Sequence, residues 1–410
     1  MRIEEIIKLA ENELSELFCQ FEETALFNQG KVLKAFQNNN VAQRHFAGST
    51  GYGYDDIGRD TLCKLYADVF KADNALVSPN IVSGTHALTI MLFGTLRPND
   101  TLLSISGQPY DTLNDVLVGE NVGSLKDFGI NFDKIELKID SNEVPKFDLE
   151  KIAEYLTNKR VKAVFIQRSR GYNWRQALSC EEISRACALV KKISPKTAIL
   201  VDNCYGEFVE KIEPLEVGAD VIAGSLIKNA GGGFAPTGGY IAGNGELITQ
   251  ISYRLTASSI GNEVGSNAYG YLPYYQGLFM APTTVKNALK CSALFAKSFS
   301  QLGFSTMPKP NVKPYDIVTS INFNTKEQLI AFCRSIQHAS PIDSFLTLEP
   351  WDMPGYKHQV IMAAGTFIQG SSVELSADSP IKEPYIAYLQ GALTYEHAKI
   401  AVTAAIESIL

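Results

Sequence analysis

An excess of positive charge is missing from this chain: 37 lysines and arginines stand against 44 acids, giving a net charge of -7 and a pI near 5.4. A nonspecific grip on nucleic acid or on an anionic membrane needs a basic face, so neither partner is expected. Histidine is scarce as well. His45, His86, His338, His358 and His397 show no HxxxH or similar spacing, which argues against a metal site. The seven cysteines are scattered, odd in number and without a CxxC pair, so neither a disulfide framework nor a zinc site is expected and a reducing cytoplasm suits them. No stretch offers the about eighteen apolar residues of a membrane span. The opening MRIEEIIKLAENELSELF is acidic throughout and lacks the basic start and apolar run of a secretory signal.

What remains is the composition of a folded protein, 45% hydrophobic and 20% charged over 410 residues, long enough for two or three domains. Ile3, Ile6, Ile7, Ala10, Leu14, Leu17, Phe18 and Phe21 recur at three- and four-residue spacings, which predicts an amphipathic helix in an N-terminal segment, residues 1–47. From 48 to 282 helix-like segments alternate with short apolar runs: TLLSIS, VKAVFIQ, AILVD, ADVIAGS and GGYIAG. Runs of this kind, separated by long crossovers, predict a mainly parallel sheet buried on both faces. A smaller α+β domain is expected over 283–410, with strands in YDIVTSINF, HQVIMAA and SVELSAD.

Chemistry concentrates in ADVIAGSLIKNAGGGFAPTGGY, residues 219–240. Lys228 follows a buried strand, where desolvation favours the neutral amine that attacks an aldehyde. At the end of the preceding strand stands Asp202, so adjacent strands can bring a carboxylate and an amine to one sheet edge. Ser83-Gly84-Thr85 precede a helix-like stretch, and a glycine before a helix N-terminus makes a phosphate cup. Ser225 can add a hydroxyl, and Tyr110 an aromatic face. The glycines of GSTGYG lack the strand–turn–helix setting of a dinucleotide loop. Gly231, Gly232 and Gly233 are read as turn formers.

The series SGTHA, SGQPYDTL, VDNCYGEF and GSLIKN resembles the cystathionine and methionine γ-lyase group of fold-type I pyridoxal-phosphate enzymes. With GYGYDDIGRD before it and IQGSSVELSAD and EPYIAYLQGALTYEH after it, the chain is most similar to the bacterial branch labelled methionine γ-lyase-like or aluminium resistance protein. The resemblance implies an aspartate-aminotransferase-like α/β fold and pyridoxal 5'-phosphate as cofactor. It implies Lys228 as Schiff-base lysine, Asp202 as partner of the pyridine nitrogen, and Tyr110 as stacking ring. Ser83, Gly84, Thr85 and Ser225 would hold the phosphate. Tyr54 and Arg59 would reach the phosphate of a neighbouring subunit, which implies a homodimer or homotetramer with shared active sites.

Two departures bear on function. The lyase pattern Ser-x-Thr-Lys is here Ser225-Leu226-Ile227-Lys228, one hydroxyl short. The arginine that clamps the substrate carboxylate has no clear counterpart; Lys382, Arg168 and Arg170 are the candidate anion binders. The expected activity is carbon–sulfur lysis of a sulfur-containing amino acid by α-proton abstraction and β- or γ-elimination. The alternatives are an aminotransferase or other pyridoxal-phosphate enzyme, or a cofactor-binding protein with a regulatory or metal-tolerance role.

Overall fold

The computed structural model describes residues 2–141, 143–353 and 357–410. Two helices, α1 (Ile3–Glu13) and α2 (Ser15–Asn38), lead into α3 (Ile57–Phe70), β1 (Asn74–Ser78), α4 (Gly84–Thr95), β2 (Thr101–Ser104), α5 (Asp111–Val118) and β3 (Asn131–Lys134). After a small hairpin of β4 (Lys138–Ile139) and β5 (Pro145–Lys146) come α6 (Leu149–Asn158), β6 (Ala163–Gln167), α7 (Cys180–Ile193), β7 (Ala198–Asp202), β8 (Val221–Ser225), β9 (Gly239–Gly243) and α8 (Gly245–Leu255). The long α9 (Leu272–Gln301) is followed by β10 (Ser305–Met307), β11 (Val318–Phe323), α10 (Lys326–Ala339), β12 (Val360–Ala363), β13 (Ser376–Pro380), β14 (Tyr385–Gln390) and α11 (Tyr395–Glu407).

The large sheet runs β1-β9-β8-β7-β6-β2-β3. From β8 through β7, β6 and β2 to β3 all pairings are parallel, whereas β9 runs antiparallel to both of its neighbours. All five residues of β6, β7 and β8 are buried, as expected of strands covered on two faces. Alternate side chains go to opposite layers. Val164, Ile166, Ile199 and Val201 join the core that includes α3 and α7, while Phe165 and Leu200 join the one that includes α4, α5 and α8.

The second sheet, β10-β11-β14-β13-β12, is antiparallel and has its own core. Within that core Ile6, Ile7 and Ala10 of α1 pack beside Phe295 and Phe299, whereas Leu17, Phe21 and Val32 of α2 pack into the large domain. The long α9 begins at Leu272 and carries Pro282 inside it. The division expected at 283 therefore falls within α9, whose Tyr274 to Leu289 side belongs to one core and whose Leu294 to Phe299 side belongs to the other. Residues 372–378 were expected as a strand; the strand starts later, at Ser376.

Candidate active site

Parallel strands end together, and the carboxyl ends of β6, β7 and β8 deliver polar residues to one edge. Gln167 stands in register with Asp202, and Asp202 with Ala223. One turn beyond β8, Lys228 enters a short 3-10 turn, Asn229–Gly231, with its backbone N–H on the Ser225 carbonyl at 3.4 Å. Against this edge rests the start of α4. The Ser83 hydroxyl caps the helix by accepting from the His86 N–H at 3.0 Å, in keeping with the preference for serine there. Gly84 eases a close approach: a Cβ at that position would lie 3.3 Å from the Ser225 Cβ, a tight fit, and 3.5 Å from the Cys204 Sγ, an ordinary contact. The α4 N-terminus thus abuts Ser225 with free backbone donors and no acid in its first turn.

Ser83, Gly84, Thr85, Tyr110, Asp202, Ser225 and Lys228 all line one cavity of about 340 Å³. Tyr110 precedes α5, and its backbone N–H donates to Gln167 Oε1 at 2.6 Å. Its ring meets the Tyr172 ring edge-on, 5.5 Å between centroids. Thr85 Oγ1 lies 3.2 Å from Thr112 Oγ1.

Electrostatics centre on Asp202 and Lys228. Burial pushes Asp202 above the ordinary carboxylate range against the pull of Lys228, and its Oδ1 accepts the Cys204 N–H at 3.1 Å. Burial also works against a charged Lys228, but Cys204, Tyr205 and Asp202 around it outweigh that and hold its pKa above the ordinary lysine value. The neighbours of Lys228 thus favour its charged form, opposite in direction to the effect of desolvation alone.

The anion binders proposed on sequence are placed differently. Arg168 is fully buried, paired with Glu210 at 2.7 Å and hydrogen-bonded to Asn203 at 2.8 Å and the Gly206 carbonyl at 2.9 Å. Arg170, equally buried, is paired with Asp316 at 2.9 Å and donates to the Met307 carbonyl at 2.6 Å. Internal carboxylates take both guanidiniums, and neither lines the cavity. Lys382 lines a neighbouring depression together with Tyr110, Gln167 and Tyr172. Tyr54 and Arg59 do not line the cavity of their own chain: Tyr54 is 64% exposed, and Arg59 is buried with Nη1 on the Gly53 carbonyl at 2.9 Å.

Residues the sequence reading did not single out complete the wall: Gln167, Tyr172, Cys204, Tyr205, Ser372, Asp378, Tyr388 and Gln390. The last four come from the small domain. Cys204 and Tyr205 lay within the quoted VDNCYGEF, and Asp378 within SVELSAD, so the segments were marked although the side chains were not. Among the described residues no cluster of histidines, cysteines and acids could hold a metal, and no helix is long and apolar enough to cross a membrane.

Comparison with known proteins bears on this site. The family model described as methionine gamma-lyase matches residues 3–410. The Bacillus subtilis protein YnbB, itself uncharacterized, is 48% identical over 403 residues, 98% of this chain and 94% of its own length. A carbon-sulfur lyase involved in aluminum resistance from Clostridium novyi superposes with a TM-score of 0.95 at 50% identity, over 100% of this chain and 96% of that one. The pyridoxal-5'-phosphate-dependent protein YhfS of Escherichia coli has a TM-score of 0.61 at 16% identity, over 96% of this chain and 97% of its own, a likeness of fold alone.

Proposed function

Because the chain belongs to the methionine gamma-lyase family and has the fold of fold-type I pyridoxal-phosphate enzymes, we propose that it is a pyridoxal 5'-phosphate-dependent carbon–sulfur lyase acting on a sulfur-containing amino acid. The observation that carries this reading is the convergence of Lys228, Asp202, Tyr110 and the α4 N-terminus on a single cavity.

The residues fit the cofactor. The glycine-shaped recess between α4 and Ser225 offers backbone donors and hydroxyls to a phosphate. Lys228 offers an amine to the aldehyde, Asp202 a carboxylate to the ring nitrogen, and Tyr110 a face to the ring. When bound, the cofactor supplies an aldehyde carbon for an amine and a ring that accepts electrons from the substrate's α-carbon. Lys228 Nζ takes the α-proton as general base. Asp202, shielded from water, would hold a proton at the cofactor's ring nitrogen. Thiol departure from the β- or γ-carbon and hydrolysis then give a 2-oxo acid and ammonia.

Tyr54 and Arg59 belong in this reading to the neighbouring subunit's phosphate, in a homodimer or homotetramer with shared sites. The exposure of Tyr54 supports its part in that assignment.

The test is to supply pyridoxal phosphate and a panel of thioether amino acids and to follow thiol, ammonia and 2-oxo acid. Release of all three together supports the lyase. Amino-group transfer to the cofactor without ammonia would replace it with an aminotransferase.

A further inference from the structure

The turn that carries Lys228 is held from inside the protein by groups that do not line the cavity. Directly after the lysine, Asn229 Nδ2 donates to the Glu207 carbonyl at 3.1 Å, and the Ala230 carbonyl accepts the Tyr66 hydroxyl at 2.9 Å. Glu207 Oε1 in turn accepts the Tyr240 hydroxyl at 2.8 Å. A glycine makes room for that pair: a Cβ at Gly224, in β8, would lie 2.6 Å from Glu207 Oε1 and 2.9 Å from the Tyr240 oxygen. Glu207, Asn229 and Tyr240 are all fully buried.

Two oxygens of this cluster are left over. Glu207 Oε2 and Asn229 Oδ1 are buried and, among the described residues, have no hydrogen-bond partner, although their residues are already bonded to each other. The Asn229 amide cannot be turned round, because the Glu207 carbonyl only accepts and so keeps the nitrogen on its side. Tyr240 cannot serve twice, since its one proton is on Oε1 and its oxygen takes the Asn203 amide at 3.5 Å. An ionised Glu207 has only acceptors, which would leave both oxygens unmet where that is costly. A single proton on Oε2 turns it into a donor and satisfies both.

The surroundings favour that proton. Facing Glu207 are Glu213, Tyr66 of α3, Tyr240 of β9, Cys204 and Arg168 at the ends of β7 and β6, and Lys228 itself. Arg168 is taken by Glu210 at 2.7 Å and Glu213 at 3.6 Å. Burial, with Glu213 adding to it, raises Glu207 to about 8 against the pull of the Tyr240 hydroxyl and of Lys228.

We infer that Glu207 is a neutral acid whose Oε2–H donates to Asn229 Oδ1, a positioning residue that fixes the turn carrying Lys228 and releases it when the proton leaves at alkaline pH. Its consequence for the cofactor rests on the reading of Lys228 given above, whereas the proton itself does not, and the two are tested apart.

Infrared difference spectra of the purified native protein against Glu207→Gln are recorded at about pH 6.5 and about pH 9.5, so as to bracket the titration. A protonated-carboxyl carbonyl band is expected at the lower pH, absent from the variant and lost at the higher pH. Asn229→Ala should move that band by removing its acceptor. In parallel, pyridoxal phosphate affinity is measured for the native protein and for Glu207→Gln, whose amide donates at either pH. The two affinities should agree within about twofold at the lower pH, and the native protein should be at least about tenfold the weaker at the higher, the scale of one buried hydrogen bond. Absence of a carboxyl band that titrates between the two pH values overturns the inference, even where the glutamine variant does not fold. So does a band that Asn229→Ala leaves in place, or an affinity ratio that does not change with pH. A native protein that takes no cofactor at either pH overturns the reading of Lys228, and the infrared result alone then decides whether Glu207 holds the proton.

Discussion

The amine of Lys228 lies 4.0 Å from the centroid of the Tyr205 ring, and the Tyr205 hydroxyl is 2.8 Å from Ser372 Oγ. One tyrosine therefore ties the lysine that follows β8 to the small domain. Its backbone sits at φ 70°, in the left-handed region that costs a non-glycine residue on the order of 1 kcal/mol. The turn after Asp202 accepts that conformation and places the ring beneath the amine.

Replacing the ring removes a cation–π attraction of ~1 kcal/mol and with it part of what holds Lys228 charged. Tyr205→Leu should make Lys228 in the cofactor-free protein several-fold more reactive toward an amine acylating reagent at neutral pH, read by peptide mass spectrometry. An unchanged rate would mean that the ring does not stabilise the ammonium.

Asp202→Asn keeps the size of the side chain and removes its charge. Turnover should fall on the order of 100-fold or more, the scale of losing one preorganised electrostatic group, while the bound cofactor remains detectable. Loss of less than about tenfold would show that the ring nitrogen has another partner.

Between the domains, Arg170 and Asp316 form a pair with no exposed side-chain surface. Arg170→Met leaves Asp316 uncompensated and should cost about 3–5 kcal/mol of stability in denaturant unfolding, whereas the double variant Arg170→Met, Asp316→Leu should recover most of it. A double variant as unstable as the single one would contradict the desolvation account.

Glu207, fully buried, accepts the Tyr240 hydroxyl at 2.8 Å, and burial raises it to about 8. The folded protein then holds a proton that the unfolded chain has released, so unfolding free energy falls as pH rises from about 4.5 to about 8. Glu207→Gln should flatten that slope and leave the variant relatively more stable at alkaline pH, measured as unfolding free energy at several pH values. Parallel profiles for the two proteins would mean that Glu207 is ionised.

Much of this site could be read before the fold was known, and the reason is local chemistry. Lys228 after a buried strand, Asp202 ending its neighbour and Gly84 opening a helix each depend on a few adjacent residues, and the structure brings them to one cavity. The strands of the large domain were legible because β6, β7 and β8 are apolar throughout. By contrast β3, whose residues are largely exposed, and β14, quoted only as part of a motif, carried no comparable signal. Arg168 and Arg170 resemble free anion binders in sequence because their partners, Glu210 and Asp316, are 42 and 146 residues away. Tyr172 and Asp378 meet across 206 residues, a separation at which one-dimensional patterns say nothing.

The central claim is that Lys228 is the residue that takes the cofactor. The purified protein is incubated with pyridoxal phosphate, reduced with borohydride and digested, and the peptide masses are compared with those of Lys228→Ala. The account predicts a phosphopyridoxyl increment on Lys228 alone, together with a visible absorption band that borohydride removes and the variant lacks. An increment on another lysine, or none on either protein, would contradict it.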